Sequence, residues 1–268
     1  ALIPNSALFS KPEYLTTFEI GSKNELLNNR LRLNANVYYY DYENRQFTYF
    51  TTTSDPAGIC PNGSAPQFFG ADVVCNVMSN ADKLRTYGAE LETLWLVSEN
   101  DRLNLSLSYT DSAAASSQQI QLSIPPGATV PPGAVRSGSN IVVNVKGEQS
   151  PRSPELQANA YYEHGFALPS GRLTFRADAR YTSESYISGY NYLNPVILPN
   201  GIRSGDLYTV EANTKYDATL RFEPGDGHWS INFYGKNLTN EAVKSATDAS
   251  TTQVEPPRTY GFVISANL

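Results

Sequence analysis

Two histidines, two cysteines and one methionine are all that 268 residues contain of the usual metal-binding and soft side chains. His164 and His228 lie far apart with no metal-ligand spacing between them, so no metal site is expected. A strand-to-helix Gly-x-Ser-x-Gly and a phosphate loop are both missing. The 20 Lys and Arg are outnumbered by 26 Asp and Glu and form no cluster, which argues against nucleic acid as a partner. No run approaches the roughly 18 apolar residues of a membrane helix. Membrane β-strands escape that test, because they cross in about 9 to 11 residues of which only every second is apolar. Ala1 to Asn5 offer neither a charged segment nor a long apolar core. The chain is therefore expected to begin at a mature terminus or inside a longer protein.

What is present is a β vocabulary: 18 tyrosines with abundant Asn, Ser and Thr. Cys60 and Cys75 share one Gly/Pro/Asn-rich segment, which suits a single local disulfide in an oxidising compartment. Closing a loop of about 15 residues would stabilise by roughly 3 kcal/mol in the chain-entropy view. Two unpaired thiols are the alternative.

Four short turn signals recur, at Asn28 to Arg30, Asn100 to Arg102, Ser170 to Arg172 and Gly225 to His228, each followed at once by an alternating strand. Their upstream partners are expected at Tyr14 to Leu26, Leu84 to Val97, Pro154 to Leu168 and Thr214 to Phe222, with a ninth strand from Arg258 to Leu268. Long Gly/Pro/Ser/Asn-rich connections separate the hairpins, near 51–82, 112–152, 187–210 and 244–257. Strict alternation of short and long connections predicts an all-β, antiparallel, up-and-down transmembrane barrel rather than a Greek-key sandwich.

The two faces of each strand differ. Leu173, Phe175, Ala177, Ala179 and Tyr181 oppose Thr174, Arg176, Asp178 and Arg180; Tyr216, Ala218, Leu220 and Phe222 oppose Lys215, Asp217, Thr219 and Arg221. Alternation alone fits a soluble sandwich too. Aromatic spacing separates the two. Leu31 leads to Tyr39, Leu173 to Tyr181 and Trp95 back to Tyr87, eight residues each. That climb is on the order of 20 Å along a tilted strand, near the roughly 25 Å apolar band between aromatic girdles. Trp95, Phe166, Phe222 and Trp229 then mark the short-turn rim, and Tyr14, Tyr39, Tyr87, Tyr109, Tyr181 and Tyr260 the long-loop rim.

Five stretches, Pro12 to Lys23 (PEYLTTFEIGSK), Leu31 to Tyr42 (LRLNANVYYYDY), Asn80 to Glu92 (NADKLRTYGAELE), Gly235 to Asn240 (GKNLTN) and Pro257 to Phe262 (PRTYGF), together resemble the C-terminal part of the β-barrel of TonB-dependent outer-membrane receptors. The resemblance runs from Pro12 to Leu268. It implies about nine strands of a larger, roughly 22-stranded barrel around a plugged lumen. Strand parity agrees: nine strands counted back from a descending last strand start with a descending one, and Tyr14 to Leu26 does end in a short, periplasmic turn. An odd isolated sheet would leave two unpaired edges in lipid, so the chain is expected to be incomplete. The family's plug and energy-coupling segment do not occur within these residues. The last residue, Leu268, replaces the terminal aromatic common in the family.

The resemblance implies active uptake, across the outer membrane of a Gram-negative bacterium, of a scarce solute such as a ferric siderophore. Carbohydrate or cobalamin uptake, a plug-free porin and a secreted β-sandwich adhesin are the alternatives. Implied partners are membrane lipid, TonB through the plug, the barrel-assembly machinery and a small-molecule or metal-chelate substrate. No cofactor and no enzymatic activity are expected. Glu90, Glu92, Glu155, Glu163 and Asp178 line a water-filled lumen or pair with Arg176, Arg180 and Arg221, rather than acting as acid and base. Candidate substrate contacts are the aromatics of the long connections, Tyr49, Phe50, Phe68, Phe69, Tyr186, Tyr190 and Tyr192, set among small polar residues.

Overall fold

The computed structural model describes residues 11–53, 67–69, 72–80, 83–116, 119–123, 127–130, 134–137, 140–187, 197, 201, 204–247 and 251–266. Its first seven strands are β1 (Tyr14–Leu26), β2 (Leu31–Glu43), β3 (Gln46–Thr53), β4 (Gln67–Phe69), β5 (Asp72–Asn80), β6 (Lys83–Leu96) and β7 (Asp101–Ala114). Then come β8 (Gln119–Ser123), β9 (Val135–Ser137), β10 (Asn140–Asn144), β11 (Leu156–Leu168), β12 (Gly171–Thr182) and β13 (Ser185–Tyr186). A single helical turn, α1 (Ser204–Tyr208), precedes β14 (Thr209–Val210), β15 (Asn213–Pro224), β16 (Trp229–Lys236), β17 (Lys244–Thr247), β18 (Thr252–Val254) and β19 (Thr259–Ala266). No helix among the described residues is long and apolar enough to cross a membrane.

Nine long strands make one antiparallel sheet in the order β1, β2, β6, β7, β11, β12, β15, β16, β19. Every strand pairs with the next of the nine along the chain, as an up-and-down meander requires. β1 and β19 each have one neighbour in the sheet.

Three expected boundaries shift. Asp101 pairs with β11, and Arg102 with both β6 and β11, so both belong to β7, leaving Ser98 to Asn100 as the turn. Gly171 and Arg172 likewise open β12, because Gly171 pairs with both Leu168 and Pro224. Its φ of +150° and a backbone carbonyl of Glu223 only 2.1 Å from where a Cβ would lie make glycine necessary there. The last strand is observed over Thr259–Ala266, and Leu268 lies outside the described residues.

The long connections also differ from expectation, since they carry strands of their own. β3, β5 and β4 form one small sheet and β8, β10 and β9 another, while β13 pairs β14 and β17 pairs β18. Runs of Thr, Val and Phe in β3 and β5 supply the β-branched and aromatic side chains that favour a strand, and Asn44, at φ 56°, turns the chain from β2 into β3.

The main sheet hides no apolar core. Buried apolar residues among those described are Ala128, Val145, Ile187 and Val243, all outside the nine strands. Large apolar side chains in the middle of the sheet stay exposed, Val37 at 50% and Phe233 at 49% among them. A sandwich would cover them with a second sheet. The register fixes the alternation: Phe175 faces His164 and Leu220, whereas Arg176 faces Glu163 and Thr219. Across one face Tyr39 sits opposite Tyr87, and near the other rim Phe222 meets Trp229 at 5.8 Å between ring centres.

Side chains drape over strand glycines on the opposite, polar face. Tyr38 lies across Gly88 to reach Thr110, hydroxyl to hydroxyl at 2.7 Å. Arg172 covers Gly165, and Tyr234 covers Gly261. A Cβ at Gly88 would stand 2.2 Å from the Tyr109 carbonyl oxygen, so even alanine would have to move backbone.

Candidate functional site

On the polar face, charged side chains of the described residues meet each other along and across the middle strands. Arg176 donates from Nε to both carboxylate oxygens of Asp178, at 2.9 and 3.0 Å, and its guanidinium stacks 3.7 Å above the Tyr161 ring. Two residues apart on one strand, they share a face because side chains alternate. Beside them Arg102 pairs with Glu163 at 3.3 Å across β7 and β11, and Arg221 with Glu223 at 3.2 Å along β15. A cavity of about 400 Å³ lies against Arg176, Arg221 and Glu223, and another of about 270 Å³ against Asp178, Arg180 and Asp217.

Charge is unevenly spread over this face. On β1, β2 and β6 the acids Glu19, Glu25, Glu90 and Glu92 outnumber Lys23 and Arg32. On β12, β15 and β16 the bases Arg172, Arg176, Arg180, Lys215, Arg221 and Lys236 outnumber Asp178, Asp217 and Glu223. β7 between them contributes Arg102 at its turn end and then only the uncharged Asn104, Ser106, Ser108, Thr110 and Ser112. Thr86 of β6 and Ser112 of β7 share a hydroxyl contact at 2.7 Å.

At the loop end, Glu13 accepts from the Gln46 N–H and lies in hydrogen-bond contact with the Tyr42 hydroxyl, which together hold its carboxyl below the ordinary range. Burial in the turn after β10 pushes the Glu148 carboxyl up.

Of the expected aromatic contacts, Tyr49 and Phe50 fall in β3, and Phe68 and Phe69 in β4, so one small sheet gathers all four positions along β5. Tyr186 is half-buried in β13, its hydroxyl donating to Glu184 at 3.3 Å. Tyr190 and Tyr192 lie outside the described residues, as does Cys60, so the pairing of Cys60 with Cys75 stays an expectation. Glu90 and Glu92 face Asn36 and Asn34 on the polar side.

Two groupings escaped the sequence. Tyr162 and His164 converge on Asp101, at 2.5 and 2.6 Å, on the apolar face beside the turn before β7. Only the pairing of β11 with β7 creates that contact, and the period-two spacing of Tyr162 and His164 was its sole trace. The other is Asn237, in the GKNLTN stretch, with φ 50° and 5% exposure. Its amide donates to the carbonyls of Glu241 at 2.9 Å and Pro256 at 3.3 Å, its Oδ1 accepts from the Glu241 N–H at 2.8 Å, and its own N–H donates to Asp217 at 2.7 Å. Asn240, also at positive φ, accepts from the Arg258 N–H at 3.0 Å. The stretch thus clamps the exit of β16 to the entry of β19.

A family model described as TonB dependent receptor-like, beta-barrel, matches residues 2–254. The chain belongs to that family. Within the TonB-dependent receptors the apolar face is the outer wall of the barrel and the polar face its lumen. Among solved structures the chain is similar to the ferric yersiniabactin uptake receptor FyuA from Yersinia pestis, with a TM-score of 0.61 and 15% identity, over 94% of this chain and 29% of that one. The siderophore receptor PiuA from Acinetobacter baumannii gives 0.59 and 18%, over 93% and 28%. The copper transporter OprC gives 0.59 and 12%, over 98% and 32%. These likenesses are of fold, and the chain spans about a third or less of each receptor. No curated protein matches it.

Proposed function

We propose that the chain is the C-terminal portion of the barrel wall of a TonB-dependent transporter in a Gram-negative outer membrane, importing a scarce solute such as a ferric siderophore. The observation that carries this reading is the division of one sheet into an uncovered apolar face between aromatic rims and a charged face lined with cavities. In this reading β1 and β19 continue into further strands of a roughly 22-stranded barrel, and the plug and its TonB-contacting segment belong to another part of the protein. Lipid surrounds the outer face, and the barrel-assembly machinery inserts the whole. The positions of Tyr49, Phe50, Phe68, Phe69, Tyr186, Tyr190 and Tyr192 supply outward contacts for the solute. Support for a metal complex as cargo comes from the relatives, described as a ferric yersiniabactin uptake receptor, a siderophore receptor and a copper transporter.

The test is uptake by cells with and without the full-length gene, in backgrounds with and without TonB. Accumulation of iron chelates that requires both supports the proposal. Accumulation that needs the gene but ignores TonB points instead to a passive barrel, and no difference for iron chelates, beside a difference for cobalamin or a carbohydrate, removes the siderophore. A disulfide between Cys60 and Cys75 is also expected. Alkylation of the unreduced, unfolded protein should then leave both thiols unmodified, and two labelled cysteines would rule the bridge out.

A further inference from the structure

The outer end of the basic side of the lumen holds a cavity of about 260 Å³ between β12, β15 and the connections that follow them. Its lining includes four cations, Arg152, Arg180, Lys215 and Lys244, and one carboxylate, Glu255, with Ile187 and Val243 as an apolar floor. Both floor residues are 7% exposed, two of the few buried apolar side chains among those described.

The cations are unequally answered. Lys215, with a side chain only 6% exposed, is bonded to Glu255, and Lys244 donates to the backbone carbonyls of Asp206 and Thr209. Neither guanidinium, Arg152 or Arg180, has an ion-pair partner among the described residues. Arg180 also stands directly opposite Lys215 in the register of β12 and β15. Like charges facing each other across strands cost stability, and here the one carboxylate of the cavity is bonded to Lys215 and leaves Arg180 unanswered. Glu184, beside Tyr186, Asp178, two residues below Arg180 on the same face, and Asp217, below Lys215, are the nearby acids; they accept from the Tyr186 hydroxyl, the Arg176 guanidinium and the Asn237 N–H respectively.

We infer that this cavity binds an oxyanion group of the imported solute, which places its charge between Arg152 and Arg180 and rests its apolar body on Ile187 and Val243. The inference rests on the transporter reading and narrows its cargo to molecules bearing carboxylates or comparable planar oxyanions. Guanidinium suits such groups because its paired N–H donors match two oxygens at once. The surplus of bases on β12, β15 and β16 draws the same charge along the wall.

The experiment uses the purified full-length receptor in detergent at low salt, titrated calorimetrically with propane-1,2,3-tricarboxylate and with its neutral triamide. Saturable binding of the tricarboxylate alone is expected, weakening by about tenfold for each of Arg152→Gln and Arg180→Gln. Raising the salt should weaken it further. Arg85→Gln, on the other face of β6, should leave it unchanged. Equal binding of the triamide, no saturable binding of either probe, or full affinity in both arginine variants would each overturn the site. Both arginines are exposed, and retained heat-modifiable gel mobility shows that the variants are folded. Binding is read without TonB, so failed uptake beside intact tricarboxylate binding counts against the transporter reading and not against the cavity.

Discussion

Replacing Leu105 by arginine is expected to destabilise the folded barrel by about 2 to 4 kcal/mol, the cost of a cation near the middle of a lipid-facing strand. Replacing Ser106 by arginine, one residue along the same strand, is expected to change stability by no more than about 0.5 kcal/mol. The contrast arises because Leu105 faces Thr93 and Ala160 on the apolar side, while Ser106 faces Glu92 and Asn159 on the lumenal side. A new arginine at 106 would meet water and a carboxylate, but one at 105 would have to drag its charge to a rim. Urea titration of the full-length protein folding into lipid vesicles measures both. Equal costs would remove the assignment of faces, and a larger cost at 106 would reverse it.

The second large effect is expected at Asn237. Asn237→Leu loses three side-chain hydrogen bonds to backbone groups of the β16–β19 connection, and forces a branched side chain to hold a left-handed backbone. Together these amount to about 3 kcal/mol. Asn237→Gly keeps the backbone conformation and loses only the bonds, so it should fall between Leu and wild type. The temperature at which the folded band disappears in a heat-modifiability gel ranks the three. Wild-type behaviour of the leucine variant would mean that the clamp contributes nothing.

How much of this was legible in the sequence depended on how local the cause was. β1 was readable to the residue and β2 at its start, because the asparagines of the intervening turn and the period-two pattern are neighbours in sequence. The start of β7 was misplaced because Asp101 has turn chemistry but is held in the sheet by its contacts with Tyr162 and His164. That Arg176, Asp178 and Arg180 share one face, opposite Phe175, followed from alternation alone. The anion cavity did not, since Arg152 comes from one connection and Lys244 and Glu255 from another, and no short stretch encodes their approach. For the same reason the small sheets of the long connections went unforeseen: the pairing of β3 with β5 joins segments on either side of a wide gap in the sequence.

Alternation tells a strand which way to face, yet it is blind to a slip of two residues, which preserves every inside and outside position. The glycines covered by Tyr38, Arg172 and Tyr234 break that degeneracy. Shifted by two, Tyr38 would meet Thr86 or Glu90 in place of the bare backbone at Gly88, and the ring would have nowhere to lie. These pairs therefore act as locating pins for the stagger between strands. Stagger and strand number together set the tilt and radius of a closed barrel. A handful of side chains resting on glycine thereby helps to decide how wide a channel the finished wall encloses.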